Sequence, residues 1–248
     1  ARTRGHSAYY RSAMGAARVP STVALGRWRW PALGFCLLVT LISLVLPVGV
    51  LGYWILKGVS SGDSLGLSWN TTINSLYVSA LAAGVTVAAA LPIALLTVRY
   101  SGRLSTLLER ITYIGFALPG IVVALALVYF GAKYAVPLYQ SLFLLVLAYV
   151  ILFLPAAFGA TRAALLQISP SIEEAARGLG KRPHGVFATV SLPLMWPGIL
   201  AGAALVFLIT MKELPATLIV APIGFQTLAT SIWASTESVL FAQAAAPA

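Results

Sequence analysis

Charged side chains are scarce in this chain, and one string of residues gathers several of them between two long apolar segments. The string covers positions 169–193 and reads S-P-S-I-E-E-A-A-R-G-L-G-K-R-P-H-G-V-F-A-T-V-S-L-P. The chemistry that it allows is recognition, because Glu174 and Arg177 are available for polar contacts with another protein. The flanking apolar segments predict that the string is a folded loop displayed at one face of a membrane.

Helix-forming signals within this string predict how the charged residues are positioned. Pro170 suits a first helical turn, and Ser171 followed by Glu174 three residues later predicts a capping box. Gly180 can end that helix in a left-handed conformation, and Pro183 can begin a second short helix. The predicted unit is therefore a helix, a sharp turn and a second helix.

The same string closely resembles the E-A-A-x3-G-x9-I-x-L-P signature of the permeases of ATP-binding-cassette (ABC) importers. The chain departs from the signature only at Val190, which replaces the usual isoleucine. The residues identical to the signature are Glu174, Ala175, Ala176, Gly180, Leu192 and Pro193. An ordinary capped amphipathic loop is the alternative interpretation.

The resemblance implies an all-α transmembrane bundle of the type I importer kind, in which this loop is a coupling helix docked on a cytosolic ATPase dimer. Ala175 and Ala176 would then allow close helix approach, Gly180 the bend, and Glu174 and Arg177 polar contacts. ATP and Mg²⁺ would be bound by that partner. This chain contains no G-x-x-x-x-G-K-(S/T) motif, so it is expected to be a translocation subunit without enzymatic activity or a cofactor of its own.

A second string, Met211–Leu218, places ionisable residues inside another apolar segment. Charged groups at membrane depth are costly unless they are paired or hydrated, so Lys212 and Glu213 are predicted to face a cavity. Pro215 frees a carbonyl one turn earlier. The string is therefore interpreted as a gate on a translocation pathway. The alternative is an interfacial lysine that extends outward beside a solvated Glu213.

This second string, with Thr217 and the later G-x-x-T-L-A and I-W matches, resembles a region of ferric-iron importer permeases. Leu118-Pro119-Gly120 and Asn74-Ser75 also match that group, so Pro119 and Gly120 are further candidates for the pathway. The resemblance implies ferric iron as substrate, with thiamine, polyamines or aminophosphonates as alternatives. It also implies a periplasmic binding protein and a second permease half. Glu213, Glu237 and several tyrosines could offer oxygen ligands, but no metal site is assigned.

Composition indicates an integral membrane protein, and the resemblance implies that the membrane is the bacterial inner membrane. Hydrophobic residues make up 60% of the 248 residues and charged residues only 9%, too few for the surface of a soluble domain. Thirteen basic residues fall on the side of the amino terminus and the 169–193 loop. Only Lys57, Lys133 and Lys212 fall on the other side, which predicts a cytoplasmic amino terminus. Contact with lipid rather than nucleic acid explains the net charge of +10.

The hydropathy pattern predicts about six spans, the last of them truncated. Residues 1–30 are an Arg-rich cytoplasmic arm or linker, and residues 31–248 form a permease domain whose cytoplasmic loop covers 161–196. The predicted spans are 31–56, 72–98, 111–130 with an interruption at Pro119, 137–160 with a kink at Pro155, and 197–221. An external interfacial helix is expected at 226–238, and a final span would begin near Val239. Because the chain lacks an initiator Met, it is expected to be part of a longer polypeptide. The resemblance to iron permeases, in which two such halves are often fused, suggests that it is the second half.

Two other classes of function remain open at this stage. A secondary transporter or channel would need no ATPase, although no inverted half-repeat is visible. A hydrolase would use Ser60 in Gly58-Val59-Ser60-Ser61-Gly62, a weak match because neither His6 nor His184 is expected on that side of the membrane. The single cysteine, Cys36, lies in the first span without a partner and is not expected to form a disulfide.

Overall fold

The computed structural model describes residues 25–62, 66, 68–100 and 102–248. These residues form helices and connecting turns, and no strand occurs among them, which confirms the predicted all-α class. The α-helices are Arg29–Ser61 (α1), Trp69–Arg99 (α2), Arg103–Ile114 (α3), Gly120–Tyr134 (α4), Leu142–Leu166 (α5), Pro170–Gly178 (α6), Pro183–Val186 (α7), Leu192–Met211 (α8), Pro215–Val220 (α9), Leu228–Glu237 (α10) and Phe241–Ala245 (α11). Most of the predicted arm lies outside the described residues.

Four helical segments are long and apolar enough to cross a membrane. They are Gly26–Ser61, Trp69–Arg99, Leu142–Leu166 and Pro183–Met211. Arg103–Ala117 and Gly120–Tyr134 pass the same test together and are bent by 105° at the break between them, so they count as a fifth span if taken as one. About 20 apolar residues are needed to cross the hydrocarbon core, and each of the four exceeds that length.

Several predicted limits of the spans are wrong. The helix that contains Pro155 starts at Leu142 and runs to Leu166, so the first residues of the predicted 161–196 loop belong to α5. The predicted loop before the third span is shorter than expected, because α3 already begins at Arg103. The predicted single helix over 197–221 ends at Met211, because Pro215 begins the separate helix α9. Near Val239, the structure has the short helix α11, and the final span stays a prediction.

The described residues divide into two compact units. Within Asn70–Thr227, α5 is the central helix and packs against α8, α4, α3 and α9. Its side chains Leu144, Leu145, Tyr149, Phe158 and Leu165 are almost completely buried. The loop therefore follows one end of α5 in the chain, and the two helices on either side of the α8–α9 break pack against α5.

The second unit contains α1, α10 and α11. In this unit α11 packs against α1 and α10, and the ring of Phe241 lies 5.0 Å from that of Trp54, centroid to centroid. The helix predicted over 226–238 is present as α10. Apolar side chains along α1 are mostly exposed, as expected of a helix whose solvent is lipid.

Candidate functional site

The loop between α5 and α8 begins with a capped helix, but the cap is not the predicted one. Ser169 has extended backbone angles, and its hydroxyl accepts a hydrogen bond from the Ser171 N–H at 3.4 Å. Pro170 is therefore the first helical residue, as predicted, and Ser171 is the second. The predicted capping box of Ser171 and Glu174 is wrong, because the helix starts two residues earlier than that box requires.

Helix α6 ends in a Schellman motif that depends on Gly180. The Gly180 N–H donates to the Arg177 carbonyl at 2.9 Å, and the Lys181 N–H donates to the Ala176 carbonyl at 3.3 Å. Gly180 has φ of +84°, the left-handed conformation that was predicted for it. Pro183 then opens α7, and a π-helical turn from Phe187 to Ser191 leads directly into α8. The loop is thus a helix, a turn and a second helix continuous with the next span.

One face of this loop is free of contacts with the rest of its unit. Glu174, Ala175 and Arg177 are exposed, and Leu179 has 86% of its surface exposed. Ala176, by contrast, is buried, so of the two alanines only it packs inward. Leu192 is half-buried and Pro193 exposed in the first turn of α8. The exposed face is a protruding surface of mixed charge with an apolar residue at its tip, suited to another protein rather than to lipid.

The inward face of α6 is held by Glu173, a residue that was not among the predicted site residues. Its carboxylate Oε1 accepts hydrogen bonds from Arg99 Nη2 at 2.9 Å, Arg99 Nε at 3.3 Å and Ser191 Oγ at 2.8 Å. Arg177 Nη2 lies 3.9 Å from the other oxygen, Oε2. Glu173 is 6% exposed. This buried carboxylate, with three hydrogen bonds to one oxygen, connects the end of α2, helix α6 and the π-helical turn before α8.

The second predicted string forms a polar break between α8 and α9. Helix α8 ends at Met211, and the Glu213 carboxylate turns back to accept a hydrogen bond from the Ala216 N–H at 3.2 Å. The Thr217 hydroxyl donates to the Glu213 carbonyl at 2.6 Å. Pro215 is the first residue of α9. Glu213 therefore satisfies backbone donors that the start of α9 would otherwise leave unpaired in an apolar region.

Helix α4 meets this break through Gly120. A Cβ atom built on Gly120 would lie 2.9 Å from Glu213 Oε1, so the carboxylate occupies space that any other residue would fill. Pro119 is exposed and has extended backbone angles just before α4 starts. Helix α5 contributes Tyr149, whose hydroxyl lies 2.7 Å from Thr217 Oγ1. Since the Thr217 proton is directed at Glu213, the Tyr149 hydroxyl is the donor to Thr217.

The structure thus brings together Gly120, Glu213, Pro215 and Thr217 from two strings that were predicted separately. Lys212 differs from them: it caps the carboxyl end of α8, is exposed, and has no ion pair among those found in the described part of the chain. Exposure is compatible with both interpretations of Lys212, a residue that faces a cavity and an interfacial lysine that extends outward. The Glu213 carboxylate, in contrast, is hydrogen-bonded within the protein, which is compatible with the gate interpretation. Whether any of these residues lines a pathway stays a prediction.

A family model described as the binding-protein-dependent transport system inner membrane component matches residues 80–247. The chain belongs to this family. The match includes the loop with its Schellman motif, the α8–α9 break and α4, so each of the sites described above lies in the family's own domain. Members of such a family are multi-pass membrane proteins, which agrees with the apolar helices.

Three proteins illustrate the similarity within the family. An Fe(3+)-transport system permease protein of Haemophilus influenzae is 38% identical over 245 residues, which are 97% of this chain and 48% of that protein. A putative 2-aminoethylphosphonate transport system permease protein of Salmonella typhimurium is 26% identical over 73% of this chain and 68% of its own length. A molybdenum transport system permease protein of Escherichia coli K12 is 32% identical over 60% of this chain and 70% of its own length. The chain spans about half the length of the first of these relatives.

Asn74, from another of the predicted iron-permease strings, lies before the matched range and contacts a residue within it. Asn74, near the start of α2, donates from its side-chain Nδ2 to the Gln226 carbonyl at 3.0 Å. Gln226 lies inside the G-x-x-T-L-A match that was noted in the sequence. Two strings 152 positions apart are therefore joined by one hydrogen bond.

The hydrolase alternative receives no support from the surroundings of Ser60. Ser60 lies in the last turn of α1, and its hydroxyl donates to the Lys57 carbonyl at 2.8 Å. A nucleophile elbow requires a strand before the serine, whereas here a 33-residue helix precedes and contains it.

Sequence reasoning missed Glu173, Arg99 and Ser191 as members of the loop site. Arg99 was counted only as one of the cytoplasmic charges, and Glu173 was set aside in favour of its neighbour in the E-A-A signature. The useful signal was the spacing of Glu173 and Ala176, which puts both on one face of a helix that starts at Pro170. If Ser169 is taken as the N-cap residue, the helix begins at Pro170, and Glu173 and Ala176 can be placed on the same face.

Proposed function

We propose that the chain is a membrane-translocating half of an ATP-driven, binding-protein-dependent importer. The observation that carries this proposal is the loop from Ser169 to Ser191, which presents Glu174, Ala175 and Leu179 outward while Glu173 and Ala176 hold it from within. A protruding, well-capped helix with an unused face suits a partner protein. Membership of the family supports an ATPase dimer as that partner.

In this mechanism ATP and Mg²⁺ are bound by the ATPase and not by this chain. Closure of the ATPase dimer displaces α6, and the spans that contain Pro119, Pro155 and Pro215 rearrange to give alternating access. A periplasmic binding protein delivers the substrate, and a second permease half completes the pathway. The excess of arginine on one side of the spans supports a cytoplasmic amino terminus and a cytoplasmic loop.

Ferric iron is the substrate that we propose, because the relative from Haemophilus influenzae is similar to almost the whole chain. The chemistry of the α8–α9 break also favours a cation. It offers the Glu213 carboxylate and the hydroxyl groups of Thr217 and Tyr149, which are oxygen ligands of the kind that hard cations prefer. A carboxylate at this position would repel an oxyanion such as molybdate or a phosphonate.

The test is uptake by the full protein that carries this segment, reconstituted in vesicles with its ATPase and binding protein. We expect the ATPase to co-purify, and radioactive ferric iron to enter only with ATP and the binding protein. Uptake driven by an ion gradient without ATP would instead favour a secondary transporter. Competition by molybdate or 2-aminoethylphosphonate, with no accumulation of iron, would contradict the proposed substrate and leave the importer mechanism intact.

A further inference from the structure

Helix α6 has few backbone contacts with the membrane spans of its unit. Within the described residues it packs chiefly against α7 and the π-helical turn that follow it in the chain. The loop is therefore a small folded body of its own, and a force applied to it must pass to the spans through particular contacts. Its covalent connections are one such route, but they lead only to α5 and α8.

The route to α2 is the Arg99–Glu173 ion pair. Arg99 is the last residue of α2, 74 positions from Glu173, and its guanidinium makes two hydrogen bonds to Glu173 Oε1. Arg99 Nη2 also donates to the Ile168 carbonyl at 3.2 Å, just before α6. The pair is largely excluded from water, with side-chain exposures of 13% and 8%. A pair so placed is screened little and has a defined geometry, unlike an ion pair at the surface.

The same carboxylate oxygen reaches the start of α8. Ser191 closes the π-helical turn and donates to Glu173 Oε1 at 2.8 Å, and it is buried as well. Short π-helical segments occur frequently at functional sites. Glu173 Oε1 is thus the point at which the end of α2, the loop helix and the beginning of α8 meet.

A crevice beside the pair leaves room for this junction to rearrange. It has a volume of about 150 Å³, and its lining includes Leu95, Tyr100, Arg177 and Phe187. Arg177 stands on the outer side of Glu173 and is about half exposed, with its Nη2 3.9 Å from Oε2. The Glu173 carboxylate therefore lies between two guanidinium groups. That of Arg99 makes two hydrogen bonds to it, and that of Arg177 lies 3.9 Å away.

We propose that Glu173 is the positioning residue that makes α2 and α8 move together with the cytoplasmic loop. The proposal rests on the proposed function, because it assumes that an ATPase displaces α6. Displacement of α6 pulls on Arg99 and Ser191 at once, so that two spans respond as one body. Without the Glu173 carboxylate, the loop still docks on the ATPase, but its movement is transmitted only along the chain into α5 and α8.

The experiment measures iron taken up per ATP hydrolysed in vesicles that contain the complete transporter. Glu173→Gln removes the charge but keeps the size of the side chain, and Ser191→Ala removes one hydrogen bond. Side chains that modulate coupling in this way change it by about 0.5–2 kcal/mol, so we expect the uptake per ATP to fall roughly 2- to 30-fold. The amount of co-purified ATPase should not change, because the exposed face of α6 is intact.

Two further variants separate positioning from a general effect on folding. Arg99→Glu and Glu173→Arg should each lower the uptake per ATP. The double exchange should recover part of it, since the ion pair is reversed but present, whereas the hydrogen bond to the Ile168 carbonyl is lost and Arg177 lies beside the new cation. Glu109→Gln is the matched control, because it breaks the other inter-helix ion pair found in the described part of the chain, with Arg162 Nη2 3.4 Å from Glu109 Oε1. That control should keep the normal ratio.

Each outcome bears on the proposal. Normal uptake per ATP in both Glu173→Gln and Ser191→Ala would overturn it while leaving the importer function in place. If Glu173→Gln does not accumulate in the membrane, the proposal is tested by Ser191→Ala and by the double exchange of Arg99 and Glu173. Normal uptake per ATP in Ser191→Ala, together with no recovery in the double exchange, would overturn the proposal. Failure of the unaltered protein to bind an ATPase would overturn the proposed function, and this inference with it.

Discussion

Glu213 Oε1 lies 2.9 Å from the place that a Cβ atom would take on Gly120. Gly120 is the first residue of α4, and Glu213 lies in the break between α8 and α9, so the missing side chain is what lets these two elements meet. The contact therefore joins α4, the second part of the bent helix pair, to the break between α8 and α9. Interruptions of this kind are tolerated in a membrane where neighbouring groups satisfy the freed backbone donors, as Glu213 does for Ala216.

Gly120→Ala is expected to push the Glu213 carboxylate away from α4. Because the carboxylate is the flexible end of a side chain, it can shift, and the expected cost is the loss of its hydrogen bond to the Ala216 N–H, about 0.5–1.5 kcal/mol. We expect a lower Tm in detergent and, if the break is a gate, a higher basal rate of ATP hydrolysis in the reconstituted transporter. Gly84→Ala in α2 is the control, because its added methyl would meet no atom within 4 Å. Equal Tm values for the two variants would contradict the tight contact at Gly120.

Tyr149→Phe tests the hydrogen bond that joins α5 to α9. The substitution keeps the ring but removes the hydroxyl that donates to Thr217 at 2.7 Å within a buried site. Loss of such a bond costs about 0.5–1.5 kcal/mol, which thermal unfolding should detect as a lower Tm. Tyr129→Phe is the control, because that hydroxyl is bonded only to the exposed Lys133 at 3.0 Å. A larger loss in Tyr129→Phe than in Tyr149→Phe would count against the proposed anchoring of α9.

Gly180→Trp should abolish uptake while membrane insertion stays normal. The φ of +84° at Gly180 is strained for other residues by about 1–2 kcal/mol, and a large ring there would stand on the face proposed for the ATPase. Gly180→Asn is the matched control, because asparagine tolerates the left-handed conformation and adds a small side chain. We expect it to retain most of the uptake. Normal uptake by Gly180→Trp would remove the loop from the coupling mechanism.

The local features of the fold could be predicted well because they depend on neighbouring residues. Pro170, Gly180 and Pro183 set the ends of the loop helices, and each acts through its own backbone geometry. The end of α8 at Met211 was predicted wrongly, because the apolar residues on both sides of Lys212 and Glu213 show no change of periodicity where the helix breaks. Glu213 followed by Pro215 was a usable sign, since an acidic residue just before a proline is typical of the beginning of a helix.

The contacts that join distant elements could not be predicted from local patterns. The Arg99–Glu173 pair and the Tyr149–Thr217 bond each connect residues about 70 positions apart, and which carboxylate of Glu173 and Glu174 turns inward depends on where α6 begins. A shift of two residues at the cap rotates the helix by more than half a turn. The signature names Glu174, which is exposed, and gives no indication that Glu173 makes the internal contact.

Gly198 makes the tightest contact between α5 and α8. A Cβ built on Gly198 would collide with the Cβ of Ala164, and one built on Gly202 would lie 3.1 Å from the Cβ of Ala160. Small residues at four-residue spacing on both helices thus let their backbones approach closely, which is a main source of helix association in lipid. This interface supports the loop, because α5 leads into it and α8 leads out.

Gly198→Ala should therefore lower the stability by about 1–3 kcal/mol through overpacking, seen as a lower Tm and less protein in the membrane. The exchange Ala164→Gly with Gly198→Ala moves the methyl group across the interface and should restore most of the loss. Gly159→Ala on α5 meets no atom within 4 Å and should be neutral. If the exchange is no more stable than Gly198→Ala alone, the loss reflects something other than the contact with Ala164. Recovery would establish that the volume at this crossing, rather than the identity of either residue, sets how closely α5 and α8 pack.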